Sequence, residues 1–494
     1  MSQNPTAAAA PGPGAGPKGG DPKSQLRRVM GFWDVLLFNI GAVLGPRWIA
    51  AAAHNGTSSI SLWVFAALFF FLPTTFVIVE LSTRFPEEGG LYVWSKEAFG
   101  DFHGFIAGWT YWVYTFFYFP ALLMASAAMA AYIGGGGTAY LAQDRTFLVA
   151  GSFGLLFVAV ALNIVGLNIG KWLQNVGAVS TYVPLLMLVG MAAYLWHAHG
   201  SVTHFTWRNI MPTWDWGTVN FWPQIAFAFV GLELCATMSE EVRNPQKTLP
   251  RAIFGSGILI ALIYIAGTFA VLSMLPADAV DPKSGVFQAL TTGSMMLRIV
   301  LFGVIAAILV TVGNAGGVGG TVAGVARVPF VVGIDRYLPA VFGRIHPKWK
   351  TPWVAILVQA FATGVVLILG QISGSPNTAY QELVDAGTIL YFIPFLYMYA
   401  AVIRLAYRQD RGANENQVLI PGGKVGVWLM GILGFTVVLG GIVLSLIPPE
   451  EAANKWIFEG KLAGGSAFAI LFGLMLYYRG ARAKAREARA STAR

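Results

Sequence analysis

Arg47, Glu233 and Glu80 are the side chains with which this chain could do chemistry at depth, because each falls inside a long apolar run. An ionisable group at membrane depth is expensive, so it faces protein or water and is functional by default. Arg47 brings a planar fork of donors that suits a carboxylate. With Gly41, Ala42, Gly45 and Pro46 it interrupts an apolar run from Phe32 to Ala53. Pro46 lacks a backbone N–H, and a helix in lipid cannot leave backbone groups unpaired. The run is therefore predicted to open at 45–47 around something that it holds. A half-helix N-terminus carries partial positive charge, which favours a carboxylate there. Glu233 follows Phe227-Ala228-Phe229-Val230-Gly231-Leu232, and a carboxylate so placed needs a proton or a partner. Three roles are open to Arg47: binding an acidic group of a solute, pairing with Glu233, or tying helices together. A fixed arginine cannot release a proton, so any proton coupling falls to Glu233.

Other chemistry finds little material. No nucleophile–base pair or metal-ligand constellation lies in the apolar runs, so neither an enzyme nor a cofactor is expected. One cysteine, Cys235, admits no intrachain disulfide. His197, His199 and His204 share a loop, where solvation is their ordinary reading. The glycines of 313–324 lack the Lys-Ser/Thr of a phosphate loop and read as a helix-packing face. The aromatics of 101–132 read mainly as packing and belt residues, a minority of them lining a cavity.

The elements that position these residues follow from composition. Of 494 residues, 56% are hydrophobic and 11% charged, against about 25% charged in soluble domains. The expectation is an all-α integral membrane protein. Twelve apolar runs have spanning length, near 32–53, 60–83, 103–133, 146–168, 172–196, 219–240, 250–275, 298–326, 352–370, 381–404, 425–447 and 463–478. With both ends inside, 25 of the 32 Lys and Arg fall in cytoplasmic segments and six in outer loops. That bias fits twelve spans and turns the net charge of +9 into a sign of orientation rather than of nucleic acid. Residues 1–25 read as a disordered tail rich in Ala, Pro and Gly, and no cleavable signal peptide is expected. Residues 479–494 read as a basic arm, amphipathic or disordered, that anchors to anionic lipid. The first and sixth runs are the interrupted ones. Five spans apart, they cross in opposite directions, the expected geometry of two inverted five-helix repeats, each opening on a discontinuous helix. The repeats cover about 32–196 and 219–404, and two peripheral helices lie within about 425–478.

Three stretches carry a family resemblance. Glu80-Leu81 is followed by Phe85-Pro86-Glu87-Glu88-Gly89-Gly90-Leu91-Tyr92-Val93-Trp94. Phe229-Val230-Gly231-Leu232-Glu233 leads to Glu241-Val242-Arg243-Asn244-Pro245 and Leu249-Pro250-Arg251-Ala252. Ala326-Arg327 precedes Gly333-Ile334-Asp335-Arg336-Tyr337-Leu338-Pro339, then His346-Pro347 and Thr351-Pro352. Over 26–478 the chain resembles permeases of the amino acid–polyamine–organocation superfamily, in particular the bacterial glutamate/γ-aminobutyrate antiporter branch. The resemblance implies a single bundle of LeuT type, ten core helices plus two peripheral ones. It also implies transport of small amino-acid-like solutes by alternating access, as antiporter or proton-coupled symporter, in the bacterial inner membrane. A transceptor and a polyamine or cation permease are the alternatives.

The resemblance places the substrate carboxylate at the break of span one. Gly45-Pro46-Arg47 stands in the place of the Gly-Ser/Ala-Gly pattern, with Gly45 kept and Pro46 and Arg47 departing; Gly41 and Ala42, just before it, are further candidate binding residues. It places the substrate amino group at the sixth break, around Ala228, Val230 and Gly231, with Phe227 as an aromatic gate. Glu233 matches an acidic gating or pH-sensing position, and Tyr111, Tyr114 and Thr115 match pocket-facing positions of span three. Span five offers Gly177, Ser180, Thr181 and Pro184, but not the lysine of some proton-coupled relatives.

Overall fold

A computed structural model describes residues 29–86, 89–165, 167–212, 215–326, 328–329, 337–371, 375–412, 417–448 and 455–492. Among the described residues, twelve helices are long and apolar enough to cross a membrane. They are spans 1–12, in order Phe32–His54, Ser59–Arg84, Asp101–Gln143, Arg145–Val165, Val179–His199, Trp216–Ala236, Pro245–Met274, Val300–Gly319, Trp353–Gly370, Pro376–Leu405, Gly423–Ser445 and Lys455–Arg486. Glu87, Glu88, Arg327, the stretch 333–336 and the tail 1–25 lie outside the described residues.

The apolar pattern decides depth in the bundle. Of the most apolar 18-residue window of span 1, 83% is buried; span 12, at 22%, is the most peripheral. Large apolar side chains such as Phe157, Leu186, Phe361 and Phe468 stay exposed on outer spans. Lipid covers such faces at no cost, where water would penalise them. Spans 5 and 8 approach closely through glycine. A Cβ on Gly177 would stand 2.9 Å from the Gly316 Cα, and one on Gly317 would stand 2.8 Å from the Gly41 carbonyl oxygen. Gly313, Gly316 and Gly317 thus form a packing face against span 5 and against the broken helix of span 1.

Several local features differ from the sequence reading. Span 2 loosens into a π turn at Ala67–Phe71 before resuming at Leu72–Arg84. Pro73 explains it, since its ring cannot share a turn with the carbonyl four residues earlier. Span 3 continues as two tighter helical pieces over Ala131–Gln143, kinked at Gly135, whose φ is +73°. A short helix, Gly285–Met296, lies between spans 7 and 8, with Gly285 against Ala50 of span 1. The last helix runs from Lys455 to Thr492, so the basic arm is helical from 479 to 492, continuous with span 12. Ahead of span 1, Val29 and Met30 donate backbone hydrogen bonds to the Glu241 carbonyl, and Arg243 donates back to Met30. The entry to span 1 and the exit from span 6 are thereby tied together.

Candidate functional site

Span 1 stops at Val43 and resumes at Pro46. Pro46 is at home on the first position of the new helix, where its missing N–H costs nothing. Gly45 is needed for space: a Cβ there would meet the Trp48 ring at 3.0 Å and an Arg47 Nη at 3.1 Å. Span 6 leaves its helix after Phe227, turns through Gly231 and continues as a tighter helix over Leu232–Glu241. Gly231 has φ +118°, and a Cβ would also meet Val43 Cγ2 at 3.1 Å. Both demands select glycine. The two breaks are therefore in contact.

Tyr264 of span 7 joins them. Its buried hydroxyl faces the Val43 carbonyl at 2.7 Å and the Ala228 carbonyl at 3.0 Å, and it accepts from the Gly45 N–H at 3.3 Å. One phenol thus stands within hydrogen-bond reach of three backbone groups that the breaks release, accepting from one and donating its single proton between the two carbonyls.

Arg47 is 4% exposed. It donates to the Tyr118 hydroxyl, and its guanidinium lies 4.5 Å from the Trp48 ring centre and 5.2 Å from that of Tyr118. Among the described residues no carboxylate stands within ion-pairing distance of it. Of the three roles open to Arg47, pairing with Glu233 does not occur in this structure. Glu233 is fully buried and occupied elsewhere: one oxygen accepts from Tyr111 at 2.8 Å and from Tyr391, the other from the Gly231 N–H at 3.0 Å. Phe227 separates the two charges, packed edge-on against Trp48, Tyr118 and Tyr391. Aromatic faces return about 0.5–2 kcal/mol to a desolvated cation. Burial costs an ion several kcal/mol, so the rings alone do not balance Arg47.

A cavity of about 20 Å³ opens against the first break, room for roughly one water by the same measure. Gly41, Ala42, Gly45 and Arg47 line it, with Val43 and Leu44 between them. Tyr118, Thr181, Asn314 and Thr321 complete its polar wall from spans 3, 5 and 8. Of the remaining predicted residues, Ala228, Val230 and Gly231 form the second break, and Pro46 starts the half-helix beside the cavity. Tyr111 and Tyr114 pack against Tyr391 on the Glu233 side. Thr115 turns away: its hydroxyl donates to the Trp112 carbonyl and accepts from Gln359 of span 9. Tyr118, Tyr264, Tyr391 and Asn314 were not singled out from sequence. Tyrosines are common in these spans, and only Asn314, a polar residue amid glycines, left a readable trace.

Comparison with known proteins accords with this architecture. The family profile described as amino acid permease matches residues 30–459. An uncharacterized transporter of Legionella pneumophila is 29% identical over 454 residues, covering 89% of this chain and 94% of that one. The serine/threonine exchanger SteT of Bacillus subtilis is 28% identical, covering 78% and 84%. The probable agmatine/putrescine antiporter AguD of Lactococcus lactis is 22% identical, covering 90% and 94%. Among solved structures, MhsT in complex with L-phenylalanine superposes with a TM-score of 0.65 at 12% identity, covering 85% of this chain and 99% of that one. That likeness bears on fold alone, and the fold is the LeuT type.

Proposed function

We propose that this chain, which belongs to the amino acid permease family, holds its solute where the two helix breaks meet, between 41–47 of span 1 and 227–231 of span 6. It is a multi-pass membrane protein and a secondary active transporter, moving amino acids or related small solutes by alternating access. The observation that carries the siting is the Tyr264 hydroxyl, which touches carbonyls of both breaks at once. A displacement at one break is felt at the other, as a solute held between them requires. The cavity is too small for an amino acid, so loading parts span 1 from spans 3, 5 and 8.

Exchange of one solute for another is the mode we favour. Span 5 has Thr181 rather than a lysine at the cavity, and the Glu233 oxygens are already engaged by Tyr111, Tyr391 and Gly231. The basic bias supports cytoplasmic termini, and the bacterial relatives support a bacterial inner-membrane location. Counterflow in proteoliposomes tests the reading against an amino-acid receptor of the same fold. Vesicles preloaded with an amino acid mixture accumulate external label above the level of unloaded vesicles. If no amino acid gives preload-dependent accumulation, the proposal fails.

A further inference from the structure

We infer that Arg47 sets the substrate class, selecting an amino acid with a second carboxylate, and so a net negative charge, over its neutral and cationic counterparts. The inference rests on the siting proposed above. Its ground is a charge imbalance in the wall of the cavity. Arg47 is almost fully buried, lines the cavity, and has no carboxylate within ion-pairing distance among the described residues. A guanidinium offers five N–H donors. The described partners are the Tyr118 hydroxyl and two aromatic faces, none of which carries a charge. No acidic residue lines the cavity with it.

The buried carboxylate near the breaks, which could favour a cation, is already engaged. Tyr264 stands within hydrogen-bond reach of the Val43 and Ala228 carbonyls, and both oxygens of Glu233 accept from protein donors behind the Phe227 ring. The amide side is reduced as well. Pro46 has no N–H to offer, and the Gly45 N–H already meets Tyr264. At this break a side chain with a full charge and a bidentate fork stands beside the reduced set of amides. A neutral zwitterion would leave the positive charge of the wall uncompensated overall. A polyamine would add to it. An amino acid with a second carboxylate cancels it.

Counterflow of L-aspartate and L-glutamate against L-asparagine and L-glutamine is the test, since each pair differs by one charge at nearly constant shape. In the wild type the acids should be carried at least about 10-fold better than their amides, the least that one charged hydrogen bond supplies. Arg47→Gln should abolish or reverse that ratio, and Arg47→Lys should keep its direction at a lower rate. Wild type moving glutamine as readily as glutamate overturns the inference and leaves the transport reading standing. So does an Arg47→Gln protein with the wild-type ratio. If that variant does not fold, the wild-type ratio decides alone. Transport of no amino acid, acidic or neutral, removes the underlying reading and this inference with it.

Discussion

Tyr264 sits within span 7, and its hydroxyl lies within hydrogen-bond reach of two carbonyls and one amide released by breaks in two other spans. Tyr264→Phe keeps the ring stacked on Trp63 but removes the only side chain that joins the breaks among the described hydrogen bonds. An unsatisfied buried backbone group costs about 1–3 kcal/mol. The variant should therefore melt several degrees lower in detergent and lose most counterflow. A melting curve and a rate both at the wild-type level would show that the hydroxyl is not the tie. Arg47, Glu233, Gly45 and Gly231 were legible in the sequence because each violates the apolar context around it. Tyr118, Tyr264 and Tyr391 violate nothing, so their roles became visible only from what their hydroxyls touch.

At the scale of elements, the C-terminal end of span 2 is strapped by the segment joining spans 10 and 11. Arg411 forms a bidentate ion pair with the buried Glu80 at 2.7 and 3.0 Å, and the Ile420 N–H donates to the same carboxylate at 2.8 Å. Arg84 pairs with Asp410, whose carboxyl it holds below the ordinary range, and Val418 donates to Thr83. Glu80 read as a deep ionisable group is thus a structural anchor, with its partner on a loop more than 300 residues downstream. Breaking one side of such a pair leaves a poorly solvated charge, at a cost of up to about 3 kcal/mol here because Arg411 is partly exposed. Glu80→Gln and Arg411→Gln should each lower the melting temperature. The double variant should be less destabilised than their sum, by at least about 1 kcal/mol. Strictly additive effects would dissolve the strap.

For the whole molecule, closure depends on contacts at both ends as well as on the site. At one end of the bundle, the buried Lys283 donates to Asn377 at the start of span 10 and, at 3.4 Å, to Gln143 at the end of span 3. Asp281 accepts from Gln143 at 2.7 Å and from the Ser284 hydroxyl at 2.8 Å. One loop between spans 7 and 8 thereby binds spans 3 and 10. Burial holds the Lys283 ammonium below the usual lysine pKa, with Asp281 opposing the shift in part. Between the lowered value and about 10.4 the unfolded chain binds more protons than the folded one. Stability therefore rises with pH through that window, and the burial penalty is present in full below it. The melting temperature of the wild type relative to Lys283→Met should climb as pH is raised toward 10. A difference flat in pH would contradict the assignment.

The sequence by itself determined that this is a twelve-span helical membrane protein, and that spans 1 and 6 are broken. Spanning length, apolar runs and charge placement are one-dimensional quantities, and lipid enforces them residue by residue. The Gly-Pro-Arg interruption was readable for the same reason. Only the tertiary structure decided that the two breaks touch, that Tyr264 joins them, and that Arg47 and Glu233 lie apart with Phe227 between them. Those facts depend on which side chains meet across more than 100 residues of chain, and no local preference of the chain encodes that meeting.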